Sequence, residues 1–314
     1  MAARLIMKMV VAETHDLADE VRRFVLRHPR RSVLPQPEAG AHVDIRLPDG
    51  RVRHYSLCGD PADCSQYVVA VKREDGGRGG SRWIHENVAA GSGIHVSAPR
   101  NHFPLAPDAQ AHVLIAGGIG ITPMLAMAQQ LVRDGAPFVL HYCARSAFRA
   151  PLLADAVEVC RTRLHGWFPH DAGGRRFNAQ AVLAALSPGT HVYCCGPAGL
   201  VDAVRLATAQ QPGVRLHVEA FVPTAPRPSQ AFELVIASTG QILQVPADRS
   251  ALSVLRDSGF RVASSCEVGV CGSCECRYLE GKAIHGDVVL GPDRQAKTLM
   301  LCVSRGEGRL VLDL

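Results

Sequence analysis

The sequence predicts a multidomain chain: an antiparallel β-barrel, then a doubly wound α/β domain, then a small α+β domain built around cysteines. Three observations predict it. Short β-rich runs crowd the first hundred residues, strand and helix signals alternate from about residue 110, and four cysteines fall within eleven residues near the C-terminus. The length, 314 residues with 47% apolar content, suits two or three domains that each bury a core.

In the first segment the strands are expected at Leu5–Ala12, Val21–Leu26, His42–Leu47, Arg53–Leu57 and Tyr67–Val71, separated by turns such as Pro48-Asp49-Gly50. One helix is expected from Ser81 to Ala90, stopped by Gly91. In the second segment Val113–Ala116 is a buried strand. Thr122 then caps a helix with Pro123 at its first position and Gly135 past its end. Phe138–Cys143, His191–Cys195 and Leu216–Phe221 follow as strands, with helices over Leu152–Leu164, from Asn178, and over Ala198–Gln210. Residues 222–230 hold three prolines in nine and form a semi-rigid linker. A hairpin of Phe232–Ala237 and Gln241–Val245 turns at Thr239-Gly240, a helix spans Ser250–Asp257, and Arg309–Leu314 closes the chain as a strand. The expected domains are 1–106, 107–222 and 231–314, with 223–230 as the linker. There are no internal repeats.

Composition excludes several classes. The net charge is +5 and aromatics are 5%, so the basic stripe with interleaved aromatics of a nucleic-acid binder is missing. The longest apolar run, Val113–Ala128, is broken by three glycines and Pro123, too short for a membrane span. The N-terminal apolar stretch is interrupted by Lys8 and does not read as a signal peptide. A cytoplasmic protein without membrane or nucleic-acid partners is expected.

Eleven cysteines is an odd number, and their uneven placement argues for metal rather than a disulfide framework. Cys266-x4-Cys271-x2-Cys274, with Cys302 after 27 further residues, has the spacing of a plant-type [2Fe–2S] centre. Four thiolates must enclose two irons while the loop turns backbone N–H groups toward the sulfurs. Gly269 and Gly272 allow that tight loop. A zinc site is the alternative, but structural zinc pairs two Cys-x2-Cys knuckles and only one is present. Cys276 reads as a packed thiol at the start of a strand.

Residues 264–281 resemble the cluster loop of a plant-type ferredoxin fused to a flavoprotein, and the resemblance extends over nearly the whole chain to the phthalate dioxygenase reductase family, which includes vanillate O-demethylase reductases. Members carry a flavin barrel, a nicotinamide domain and a C-terminal ferredoxin-like (β-grasp) domain, in that order. The cofactors implied are FMN, NADH and a [2Fe–2S] cluster.

Residue by residue, Arg53-His54-Tyr55-Ser56-Leu57 resembles the family's Arg-x-Tyr-Ser flavin motif: Arg53 for the phosphate, Tyr55 for the ring face, Ser56 near N5. Arg53 and Tyr55 share one face of a strand, so both can reach one ligand. The resemblance also places Val71 and Lys72 at the flavin. Gly76 to Ser81 is a glycine-rich loop before a helix, either a plain flexible loop or a phosphate cradle. The family's Gly-Arg-Gly-Gly-Ser favours the cradle, with Gly79, Gly80 and Ser81 in it. Gly117-Gly118-Ile119-Gly120-Ile121-Thr122-Pro123 is not the Gly-x-Gly-x-x-Gly fingerprint, since Pro123 stands where its third glycine would fall. It matches instead the family's turn under the pyrophosphate, with Gly117, Gly118, Gly120, Thr122 and Pro123 as contacts. Cys195-Gly196-Pro197 matches the second nicotinamide-side turn. Glu219 and Phe221 are either a last strand with one core Phe or the family's acidic–aromatic pair beside the two rings. Arg145 and Ser146 are placed at the adenosine ribose, where the arginine would also suit a 2′-phosphate.

Together these imply an NADH-dependent oxygenase reductase, with Ser56, Cys195 and Glu219 as the catalytic residues and a separate terminal oxygenase, Rieske type, as partner. Plant-type centres lie at about −400 mV against about −150 mV or higher for Rieske centres, so that transfer runs downhill. The acceptor must be another protein, because no Cys-x-His Rieske pair occurs here. A haem monooxygenase or corrinoid protein is the alternative acceptor, and a non-enzymatic redox sensor the alternative from another class. A monomer is expected.

Overall fold

The computed structural model describes residues 5–77, 79–184, 186–219, 221, 230–264, 267, 269, 272–287 and 289–314. It divides into two compact units, Met1–Glu219 and Ala220–Leu314.

The first unit opens with a barrel of β1 (Ile6–Ala18), β2 (Val21–Arg27), β3 (Ala41–Arg46), β4 (Val52–Ser56), β5 (Tyr67–Lys72), α1 (Gly80–Asn87), β6 (Gly93–Ser97) and β7 (Arg100–Asn101). The spatial order is β4-β3-β6-β1-β2-β5, all antiparallel, with β7 beside β3. The two ends of that order meet where Leu57 bridges Val69 and Cys58 N–H donates to Val68 at 2.9 Å. Closure removes the open sheet edge. Met9, Val11, Val43, Val69, Val71 and Val96 point inward with no exposed surface.

The same unit continues with β8 (Ala111–Gly117), α2 (Ile121–Arg133), β9 (Phe138–Cys143), α3 (Leu153–Cys160), β10 (Leu164–Trp167), α4 (Ala179–Leu183), β11 (Thr190–Cys195), α5 (Ala198–Thr208) and β12 (Arg215–Glu219). Their parallel sheet runs β10-β9-β8-β11-β12. The chain winds outward from β8 in one direction and then returns to β11 on its other side, so the strand order reverses between β8 and β11. A crevice at the carboxyl ends of those two strands is where such folds bind ligands.

Barrel and parallel sheet share a core. Val21, Cys58, Ala70 and Phe103 from the barrel pack in one cluster with Leu125, Met127 and Ala128 of α2. Polar contacts reinforce the seam: Gln129 donates to the Cys58 carbonyl at 3.3 Å and Arg133 pairs with Asp60 at 2.7 Å.

The second unit is a mixed sheet of β13 (Phe232–Ile236), β14 (Ile242–Val245), β15 (Glu275–Ile284), β16 (Thr298–Met300) and β17 (Arg305–Leu312), with α6 (Ala251–Asp257) and the short α7 (Pro292–Gln295). The order is β14-β13-β17-β15-β16; β13 and β17 are parallel and the other pairs antiparallel. Ala251, Leu252, Val254 and Leu255 of α6 are buried against this sheet.

The structure departs from the sequence reading at several elements. The expected helix over 152–164 ends at Cys160; Arg161 turns to φ 51, and Leu164–Trp167 becomes an edge strand registered on Leu140–Cys143. Thr122 does not cap α2. A 3-10 turn over Gly118–Gly120 runs straight into the helix, which begins at Ile121, two residues before the expected Pro123, and the Thr122 hydroxyl donates back to the Ile119 carbonyl at 3.0 Å. The first strand extends six residues beyond Ala12, and β6, β7, β10 and β16 carried no sequence expectation. Asn178 and Ser250 do cap their helices, accepting from Ala181 N–H and Ser253 N–H at 3.1 Å each. Residues 222–229 of the expected linker lie outside the described residues.

Candidate nicotinamide, flavin and cluster sites

The end of the parallel sheet is built by glycine. Ala116, Cys195 and Glu219 lie side by side on three adjacent strands. Beyond them the two turns touch. A Cβ on Gly120 would lie 2.1 Å from the Cys195 carbonyl oxygen, and one on Gly196 would lie 2.9 Å from the Gly117 Cα. One on Gly117 would meet Pro197 Cδ at 2.7 Å. Only glycine permits this contact, which leaves bare backbone at the strand-order reversal where a pyrophosphate would sit. Gly118 has φ 55 and open space around it. Thr122 and Pro123 are buried in the first turn of α2. Cys195 is fully buried, and burial together with the neighbouring Glu219 holds its thiol well above the ordinary range. It is a wall of the site rather than an exposed nucleophile.

On the barrel side, β4 ends at Ser56, 5% exposed. Its hydroxyl donates to Glu219 Oε2 at 3.2 Å, joining residues 163 apart in sequence. Glu219 is half-buried. Burial pushes its carboxyl up to about 8, and the Ser56 hydrogen bond pulls weakly the other way. A carboxyl so placed holds its proton near neutral pH.

Arg53 lies against the glycine-rich loop: a Cβ on Gly80 would meet its Nε at 2.2 Å. Gly79 has φ 73, and Arg51 Nη1 sits 3.0 Å from where its Cβ would be. Two guanidinium groups therefore flank the start of α1, which suits a phosphate. The sequence reading singled out Arg53 and missed Arg51. Its signal was the alternation that puts residues 51, 53 and 55 on one face. Tyr55 packs on the barrel core, and burial raises its phenol. Leu57 and Val71 are inside that core. Val71 offers its carbonyl to His85 at 2.9 Å, Lys72 pairs with Glu74 at 2.5 Å, and the Ser81 hydroxyl accepts from Glu74 N–H at 3.0 Å.

Arg145 is exposed at the end of β9 and Ser146 half-buried beside it. Phe221 is 38% exposed, which excludes the reading of a core phenylalanine.

In the second unit the Cys274 and Cys302 sulfurs lie 3.2 Å apart, both buried. Gly269 and Gly272 take φ 78 and 70, and a Cβ on Gly269 would lie 2.7 Å from Val303 Cγ2. Cys266 and Cys271 lie outside the described residues. Two converging thiols, with left-handed glycines in the segment that leads into Cys274, fit a four-thiolate cluster. Cys276 donates instead to the Arg277 carbonyl at 3.3 Å, and burial pushes its thiol up to about 12.

Comparison with known proteins matches this division. A model described as the 2Fe-2S iron-sulfur cluster binding domain matches residues 234–306, and one described as the oxidoreductase NAD-binding domain matches residues 114–206. The chain is 42% identical to the phthalate 4,5-dioxygenase oxygenase reductase subunit of Pseudomonas putida, over 97% of this chain and 95% of that one.

The chain belongs to the phthalate dioxygenase reductase family.

It is also 44% identical to the vanillate O-demethylase oxidoreductase of a Pseudomonas species, over 90% of this chain and 92% of the relative. The solved phthalate dioxygenase reductase, a modular structure for electron transfer from pyridine nucleotides to [2Fe–2S], superposes with a TM-score of 0.74 at 39% identity, covering 98% of each chain. As a member, this chain is an electron-transfer oxidoreductase: a flavin barrel, a parallel nicotinamide sheet and a [2Fe–2S] domain, with FMN, NADH and the cluster as cofactors. No helix among the described residues is long and apolar enough to cross a membrane.

Proposed function

We propose that this protein is the reductase of a multicomponent system, drawing electrons from NADH and delivering them to a separate terminal oxygenase with a Rieske centre. The observation that carries this reading is the Ser56–Glu219 hydrogen bond. It brings the end of the flavin strand against the end of the nicotinamide sheet, so that two rings bound there would be held face to face.

The flavin, when bound, takes a hydride as an electron pair and the [2Fe–2S] cluster accepts electrons singly. The protein contributes position. Gly117, Gly118, Gly120, Thr122, Pro123, Gly196 and Pro197 supply the bare backbone and helix start for the pyrophosphate, with Arg145 and Ser146 at the adenosine ribose. Arg53, Gly79, Gly80 and Ser81 hold the flavin phosphate and Tyr55 and Lys72 lie by the ring, while Leu57 and Val71, enclosed in the barrel core, can offer it only their backbone. Ser56 closes the flavin strand and holds the Glu219 carboxyl in place through its hydroxyl. Glu219, largely protonated at neutral pH, would present a neutral carboxyl, hydrogen-bonded to Ser56, to the nicotinamide beside Cys195. Cys266, Cys271, Cys274 and Cys302 hold the cluster. A cytoplasmic monomer completes the reading.

The test has two parts. NADH-driven reduction of cytochrome c should proceed steadily. The oxygenase captured from a cell extract by the tagged protein should carry Rieske iron; capture of a haem monooxygenase or corrinoid protein would move the acceptor assignment.

A further inference from the structure

The face of β4 opposite Arg53 and Tyr55 carries, beside Ser56, a buried set of nitrogen and oxygen donors that the electron path does not use. β3 and β4 run antiparallel with His42 opposite Ser56 and Asp44 opposite His54, so His42, Asp44 and His54 share one face. Asp44 Oδ1 lies 2.6 Å from His54 Nδ1, and the His42 and His54 rings meet edge-on with centroids 5.5 Å apart. One donor atom from each of the three residues falls within 4.8 Å of the others. His102, exposed, is the nearest further imidazole, its ring 5.3 Å from that of His42.

Burial makes this arrangement costly unless something completes it. His42 is 5% exposed, and its Nε2 has no hydrogen-bond partner; His54 Nε2 is likewise unpartnered. A buried imidazole nitrogen without a partner forfeits its hydration with nothing in return. Burial and the neighbouring charged groups hold the His42 ring at about 3, so it is neutral and its lone pair is available to a ligand. Asp44, held at about 2 against its burial chiefly by the His54 hydrogen bond, is a carboxylate. One group opposes a cation: Arg100 reaches Asp44 Oδ1 at 2.5 Å. Its side chain keeps 24% of its exposure and has solvent to turn into.

We propose that His42, Asp44 and His54 bind one divalent ion of the zinc class, with Arg100 displaced from Asp44 as the ion enters. Two imidazoles and one carboxylate suit Zn2+ rather than Mg2+ or Ca2+, which prefer all-oxygen sets. The ion is structural: it ties β3 to the strand that bears Arg53, Tyr55 and Ser56.

The test uses the complete protein with flavin and cluster in place, equilibrated with Zn2+ alone and washed with a weak chelator. Elemental analysis counts the zinc, and X-ray absorption at the zinc edge reads its ligands. One zinc per chain is expected, with nitrogen and oxygen neighbours at about 2.0–2.1 Å and none at the roughly 2.3 Å of sulfur. His42→Gln and His54→Gln should each weaken binding by roughly tenfold or more, and Arg100→Gln should strengthen it. Absence of retained zinc, sulfur neighbours from the cysteines, or unchanged affinity in His54→Gln would each overturn the proposal. The absorption measurement on the unaltered protein decides the question even where a variant loses its fold.

Discussion

The hydride site and the cluster site of this chain are encoded in opposite ways. The proposed cluster ligands Cys266, Cys271, Cys274 and Cys302 lie within 37 residues of sequence, and their spacing alone names the metal. The proposed hydride site is assembled from β4 and β12, and its central hydrogen bond spans 163 residues. A local motif is legible because chain connectivity already brings its members together. A distant pair depends on barrel closure, on the reversal of strand order and on the shared core between barrel and sheet.

This contrast predicts how each site breaks. Cys302→Ser gives the largest effect: it should lower cytochrome c reduction to background while NADH-to-ferricyanide activity, which needs only the first unit, survives. Loss of ferricyanide activity with flavin still bound would show that the two sites are not separable. Gly120→Ala comes next. Gly120 has an ordinary φ of −63, so the damage is steric alone, from a Cβ 2.1 Å from the Cys195 carbonyl. A cost of roughly 1–3 kcal/mol and a steep rise in the NADH KM are expected. Gly118→Ala meets open space and strains only its φ of 55, at about 1–2 kcal/mol. Paired thermal melts and NADH titrations would separate the two causes.

Smaller and more specific is the effect at Ser56 and Glu219. Ser56→Ala and Glu219→Gln should slow flavin reduction in single turnover more than they weaken NADH binding, since both are assigned to ring alignment. Glu219 also imposes a pH dependence. Its folded pKa, about 8, lies above the ordinary 4.5, so the folded state holds the proton more tightly than the unfolded one. That stabilisation is complete below about pH 4.5 and is lost as pH rises through 8. Between pH 5 and 8 the wild type should therefore lose stability relative to Glu219→Gln, by on the order of 1–3 kcal/mol in denaturant melts. A constant difference across that range would contradict the buried carboxyl. The smallest effect belongs to Cys276→Ser, which should leave the visible spectrum of the cluster intact and cost about 1 kcal/mol of stability; bleaching would overturn the ligand assignment.

Much of this was written in local chemistry. The glycine turns at 117–120 and 195–197, the Asn178 and Ser250 caps, the alternation of β4 and the cysteine spacing each follow from a few adjacent residues. Periodicity placed the core strands β2, β5, β8, β9 and β11 close to their bounds. It failed at Leu164–Trp167, where an apolar stretch long enough for a helix is broken at Arg161 and recruited as an edge strand by Leu140–Cys143. It also failed at β6, β7 and β16, where glycine, charge or brevity hides the alternation and only pairing with a neighbour makes a strand. The sequence by itself determined the order of the three parts, the cysteine set and the two glycine-rich turns, because each is a property of short connected segments. The tertiary structure alone decided that Ser56 meets Glu219, that Arg51 joins Arg53 at the head of α1, and that His42, Asp44 and His54 share one buried face. Those contacts arise from strand register and barrel closure, and no local run of residues contains them.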